Sequence, residues 1–223
     1  MLMNDSEIKD AIQSGQIGID PFAADNLQGA SYDLAIGGEA LVTSKDEKIL
    51  LEPRSNTMLH LNPGDFALVL TKEYVKMPLD IAGVIGMRSA LARKGLMLLA
   101  GMQIDPGFEG HLRFGLYNAS PRRISLDYDD GLCMVEFHKL SGPVDRPQTP
   151  IPELREGKIP ESDRHFLHSL ETTSLSELAT NMKTLAQSVA LLTNRVNLIV
   201  VLFVPVIIGI LCVIVAHIVK VIK

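Results

Sequence analysis

Two arginines and a serine set among small residues are the first groups in this chain able to do chemistry: Arg88, Ser89 and Arg93, in the run GMRSALARKGL. Arginine stays charged at any physiological pH and presents a rigid fork of N–H donors that matches phosphate. A serine hydroxyl and the free backbone N–H groups where a helix begins favour the same anions. The chemistry is therefore phosphate binding, although such a fragment by itself also fits a solvated surface helix. Downstream, Ile104, Asp105, Pro106 and Gly107 form a turn that feeds the strand HLRFGLYN. Alternation along that strand puts Leu112, Phe114 and Leu116 on an apolar face and His111, Arg113, Gly115 and Tyr117 on the other.

RSALARKGLM followed closely by IDPGFEGHLRFGLYN resembles the paired signature of the dCTP deaminase and trimeric dUTPase superfamily, its deaminase branch above all. GQIGIDPF, GASYDLAIGG, LNPGDFALVLTKEYVKMPLDIAGVIGMRS and LSGPVDRP fall in the family's order, so the resemblance spans roughly residues 1–150. It implies a mainly β head, a dUTPase-like distorted barrel of jelly-roll type, assembled as a homotrimer with sites at subunit interfaces. It also implies a pyrimidine nucleotide as ligand, bound by Arg88, Ser89 and Arg93 with Asp33, Gln103, Asp105 and Tyr117 around it. The only cofactor in view is Mg2+ carried in with a nucleoside triphosphate, and no metal site is expected.

The departures from the family pattern carry equal weight. The strand after IDPG holds a glutamate in the deaminases that shuttles the proton, and the matching position here is Gly115. Glycine is neither acid, base nor ligand, so attack of water on a cytosine amine lacks its partner. Glu109 and Glu136 are the nearest carboxylates able to stand in. Gln103 replaces an arginine that some deaminases carry, and ELREGKIPESDRHF offers no match for the lysine and glutamine that close over the phosphates. The glycine-rich arm of the dUTPases has no counterpart either. Asp105 matches the aspartate that positions water in dUTPases and Asp33 the first dUTPase-like motif, yet Asp105 equally fits a residue that merely opens a turn.

Composition sets the outer limits. The chain has 223 residues, 47% hydrophobic but only 5% aromatic, with no Trp. A net charge of -5 argues against nucleic acid as a partner. Cys133 and Cys212 have neither metal-site nor disulfide spacing. The N-terminus is polar and lacks the apolar core of a secretion signal.

The supporting elements follow from periodicity. Ser6 is expected to cap a first helix over Glu7–Ser14, stopped by Gly15. Residues 17–147 read as many short strands broken by Gly and Pro, which points to an all-β barrel or jelly roll. The Pro-bearing stretch that follows, 151–173, reads as an extended linker from the head, 1–150. Leu175, Leu178, Met182, Leu185, Val189, Leu192 and Val196 then fit a coiled-coil seam over 174–196, with Ser174 and Glu177 as a capping box. Residues 197–219 form an apolar run free of Lys, Arg, Asp and Glu, long enough for a transmembrane helix.

These parts suggest a single-pass membrane protein, anchored near its C-terminus with the head in the cytoplasm. A head without its glutamate, joined to a self-associating helix and a membrane span, reads as a nucleotide sensor or effector, for example in antiviral defence. The competing readings are a membrane-tethered dCTP deaminase or dUTPase-type hydrolase, and a scaffold with a vestigial pocket.

Overall fold

The computed structural model of the chain describes residues 1–43, 48–55, 57–169 and 175–222. It divides into two compact units, Met1–Ser176 and Glu177–Lys223. The first contains helix α1 (Asp5–Gln13) and strands β1 (Gly18–Asp20), β2 (Tyr32–Val42), β3 (Ile49–Leu51), β4 (Leu59–Leu61), β5 (Phe66–Lys76) and β6 (Ile81–Met87). It continues through α2 (Ser89–Ala92), β7 (Leu96–Leu99), β8 (Gln103–Ile104), β9 (Glu109–Asn118), β10 (Ile124–Leu126), β11 (Gly131–Lys139), α3 (Pro152–Arg155) and α4 (Glu161–Ser169). The second is one helix, α5 (Leu175–Ile222).

The head is mainly β, as its short alternating strands dictate. The main sheet runs β7-β9-β5-β2-β11-β6-β8 with antiparallel pairing, β1 adding to β5 and β3 to β2; β4 and β10 pair separately. In β5 the odd-numbered residues Ala67, Val69, Thr71, Glu73 and Val75 turn inward. Ala67, Val69 and Val75 meet Leu112, Phe114 and Leu116 of β9, Leu34 and Ile36 of β2, and Val135 and Phe137 of β11 in one core. The strands Leu96–Leu99 and Gln103–Ile104 lie between or at the edge of the expected helix and Ile104–Gly107 turn, in residues assigned to no strand from the sequence. β7 becomes a strand because its partner β9 supplies the ladder, Leu96 opposite Asn118 through Leu99 opposite Gly115.

Helix α1 starts earlier than Ser6 would place it. Asn4 is the cap: its Oδ1 accepts from the Glu7 N–H at 2.9 Å while the Glu7 carboxylate accepts from the Asn4 N–H at 3.1 Å. Ser6 would need an acid or amide at position 9 to close the same box and meets Lys9 instead. Gly15, at φ +76°, ends the helix in the left-handed region.

The stretch 151–173, expected as an extended linker, carries α3 and α4 among its described residues and packs on the barrel. Leu154, Ile159 and Leu167 are buried with Leu41 and Leu70 in a second apolar cluster outside the main core. This strap is also pinned by charge. Buried Glu39 on β2 accepts from the Ile159 N–H at 3.1 Å, from Arg164 at 2.6 Å and from Lys48 at 3.0 Å. Arg155 pairs with Glu109 at 3.1 Å, and Arg113 with Asp163. Apolar residues spaced among prolines supplied the burial that a free linker lacks.

In the second unit, Thr180–Leu211 is a helix long and apolar enough to cross a membrane. Pro205 lies within it. Met182, Leu185, Val189, Leu192 and Val196 are exposed along it in the single chain. The capping box expected at Ser174 lies outside the described residues.

Candidate functional site

Arg88 stands at the end of β6 with extended backbone, immediately before α2. Its side chain crosses the start of β11 to reach Asp33 on β2, Nε to Oδ2 at 3.4 Å. The sheet order explains how: Met134 of β11 is paired with Asp33 on one side and Gly86 on the other. Gly131 makes the crossing feasible, since a Cβ there would lie 1.7 Å from the Arg88 Nη1. At the far end of α2, Arg93 Nη1 donates to Ser89 Oγ at 3.2 Å.

That geometry gives a clean probe. The atom in the way of a residue-131 side chain is the tip of a flexible arginine, so Gly131→Ala is expected to leave folding intact while displacing Arg88 from Asp33. A thermal melt within about 2 °C of the parent, together with ligand affinity weakened about tenfold (~1.4 kcal/mol), is the expected pair of readings.

A second group sits across β6. Gln103, opposite Val84, donates from Nε2 to Asp105 Oδ1 at 2.7 Å. Asp105 also opens a turn, its carbonyl accepting from the Phe108 N–H at 3.1 Å with Gly107 at φ +83°. Both roles weighed for Asp105 are thus compatible with its position. Gln103, Asp105, Phe108 and Arg113 line a cleft of 190 Å³ whose other wall is Ile151 and Leu154 of the strap. An apolar cleft of 450 Å³ adjoins it through Ile85, Ala100 and Gly101 and extends beside Ala92 of α2. Among the described residues, no hydrogen bond or ion pair joins Arg88, Ser89 and Arg93 to Gln103 and Asp105. Tyr117, between Phe66 and Met97 in the ladder, lines neither cleft.

The polar face of β9 is largely occupied within the chain. His111 Nδ1 lies 2.9 Å from the Thr71 carbonyl and its ring meets Tyr74 edge-on. Arg113 is held by Asp163. Gly115 is buried, and a Cβ there would come within 2.8 Å of both the Leu99 carbonyl oxygen and Phe66 Cε2. The space in which a side chain at 115 would lie is filled by a neighbouring ring and backbone.

Neither substitute carboxylate takes over that place. Desolvation opposes ionisation of Glu109, but the Tyr74 hydroxyl, Arg155 and Lys76 outweigh it and hold the carboxyl below its usual range. A proton shuttle needs the opposite shift. Glu136 lies on β11 opposite Val84, 3.4 Å from His138 and two strand spacings, about 10 Å, from Gln103. Glu73, which no spacing argument singled out, is raised by burial, yet its carboxylate points into the core and accepts from the Ala35 N–H at 2.9 Å. Burial likewise pushes the Cys133 thiol up, away from the thiolate that a nucleophile requires. Among the described residues no three His, Cys, Asp or Glu side chains converge as metal ligands.

The comparisons with known proteins agree with this architecture. The family profile described as dCTP deaminase-like matches residues 2–140. A protein of Thermococcus kodakarensis named dCTP deaminase is 39% identical over 132 residues, 59% of this chain and 82% of that one. One of Pyrococcus furiosus with the same name is 36% identical over 147 residues, covering 66% and 88%. The crystal structure of 2'-deoxycytidine 5'-triphosphate deaminase from Agrobacterium tumefaciens shares the fold, with a TM-score of 0.51 and 18% identity over 62% of this chain and 48% of that one. The match begins at α1 and ends with β11, taking in the whole barrel that carries Asp33, Arg88 and Asp105, and the chain belongs to the dCTP deaminase-like family.

Proposed function

We propose that this chain is a membrane-anchored sensor that binds a pyrimidine nucleotide without deaminating it. The observation that carries the reading is Gly115, where the family resemblance expects a glutamate and where Phe66 and the Leu99 carbonyl leave no room for one. Arg88, Ser89 and Arg93 take the phosphates, with Asp33 orienting Arg88. The base enters the adjoining clefts near Gln103 and Asp105, and Tyr117 acts in the trimer, where sites lie between heads. Mg2+ arrives on the phosphates of a triphosphate.

The strap gives binding a route out of the barrel. Gln148, Ile151 and Leu154 wall the cleft that Gln103 and Asp105 line, and the same strap precedes α5 in chain order. A ligand that prefers one packing of the strap a hundredfold biases it by about 2.7 kcal/mol. α5 self-associates through its Met182–Val196 seam and anchors the protein, with the head in the cytoplasm. A membrane effector in antiviral defence is the setting that suits such a device.

Full-length protein in detergent, titrated calorimetrically with dCTP, dUTP and dTTP, is expected to bind with product absent by chromatography. Arg88→Ala and Arg93→Ala should each weaken binding tenfold or more. The second reading, an active membrane-tethered dCTP deaminase or dUTPase-type hydrolase, draws on the relatives named dCTP deaminase. It requires dUTP or pyrophosphate to appear in those samples and to vanish on Asp105→Ala.

A further inference from the structure

Away from the family site, the end of the barrel beyond α2 carries a second cationic cavity. Lys94, Arg122 and Arg123 line a cleft of 460 Å³ together with Ser120, Pro121 and Ser125. All three cations are exposed, and among the described residues none of them forms an ion pair. In a chain with 26 acidic and 21 basic residues, three cations without an ion pair on one cleft stand out. Repulsion among them is a standing cost that a bound anion relieves.

The frame holding them is rigid. Asn118, fully buried at the end of β9, donates from Nδ2 to the carbonyls of Leu61 at 2.9 Å and Arg122 at 2.8 Å. Its Oδ1 accepts from the Ser120 N–H at 2.9 Å and hydroxyl at 2.7 Å. One buried amide therefore fixes the turn that projects Arg122 and Arg123. Lys94 is tied to the same turn because the Ala119 N–H donates to the Gly95 carbonyl at 2.9 Å. Gly95, at φ +88°, lies so close under Ser120 that a Cβ would sit 2.7 Å from the Ser120 Cβ. On the cavity's other side Ser125, opposite His60 in the β4–β10 ladder, bonds the His60 ring at 2.8 Å. These bonds fix the backbone from which the three side chains project, so the cations stay gathered at one cleft and less ordering of the main chain is lost when an anion binds.

We infer that this cavity is a second anion site, taking a phosphate-bearing group by the forked donors of Arg122 and Arg123 and the ammonium of Lys94. Either a free polyphosphate moiety or a lipid phosphate headgroup has that chemistry. The inference is independent of the nucleotide site at Arg88.

Full-length protein carrying both Arg88→Ala and Arg93→Ala removes the two arginines of the first site from the measurement. In detergent micelles, titration with pyrophosphate is expected to saturate, to weaken with added salt, and to lose tenfold or more in affinity on Arg122→Gln with Arg123→Gln. Arg122→Lys with Arg123→Lys, which keeps charge but loses the fork, should fall between. In parallel, the protein is reconstituted into phosphatidylcholine vesicles with or without phosphatidic acid, and hydrogen exchange of residues 119–125 is followed. Protection by pyrophosphate alone assigns the site to a soluble phosphate, and protection by phosphatidic acid alone to a lipid. Unchanged pyrophosphate affinity in the double glutamine variant, or no binding and no protection in either arm, overturns the inference.

Discussion

Gly115→Glu is expected to produce no deaminase and a less stable barrel. The carboxylate would have to displace the Phe66 ring, and its own Cβ would already press on the Leu99 carbonyl oxygen at 2.8 Å. A ring can rotate away, but the carbonyl belongs to β7, whose ladder with β9 runs from Leu96 to Leu99. Overpacking costs about 1–3 kcal/mol, and burying a carboxylate without a partner adds more. A total of about 3 kcal/mol lowers the midpoint of a head of this size by roughly 6–12 °C. Calorimetry of the melt and chromatography after incubation with dCTP measure both effects. Adding Phe66→Ala should recover part of the stability and no activity, because the backbone contact remains. Conversion of dCTP to dUTP by Gly115→Glu alone would mean that the pocket is one substitution from catalysis, which the geometry denies.

The second large effect is expected at Glu39. Burial disfavours its charge, but the Ile159 N–H, Lys48 and Arg164 more than compensate, so the carboxyl sits below its usual range. Glu39→Ala leaves the buried Ile159 N–H without its acceptor and Arg164 with only Glu161 at 3.7 Å and the Ile159 carbonyl at 3.4 Å, a loss of about 3 kcal/mol. Hydrogen exchange over 159–167 is the direct readout, and a rise of about a hundredfold corresponds to that figure. Acid should do the same without mutation. A carboxyl lowered in the folded state stabilises fully above its unfolded value of about 4.5, and that contribution fades as pH falls through the lower folded value. Strap exchange should therefore accelerate below about pH 4.5 in the parent and lose that pH dependence in Glu39→Ala. Because Leu154 and Ile151 wall the cleft, nucleotide affinity should weaken in the same variant.

Strands were readable wherever Gly and Pro bracket alternating residues, as in β5, β9 and β11. β7 was not, because Leu96–Leu99 is apolar without alternation and directly follows a helix motif, and only its pairing with β9 makes it a strand. The strap was hidden for a related reason: Ile151, Leu154, Ile159 and Leu167 are too widely spaced among prolines and charges to announce burial. For the candidate site, the motifs name residues but not pairs. That Asp33 meets Arg88 depends on β11 lying between β2 and β6, an arrangement of segments far apart in sequence. That Gly115 faces a ring depends on the register of β5 against β9, which no local pattern encodes.

The unbroken helix α5 runs 48 residues, a rod of about 72 Å. In the membrane-anchored arrangement proposed above, hydrocarbon would take up only about 30 Å of that length, leaving more than half of the rod in water or headgroups as a stiff mast. Pro205 deprives the Val201 carbonyl of its usual donor, which places a soft joint inside the apolar section and not in the mast.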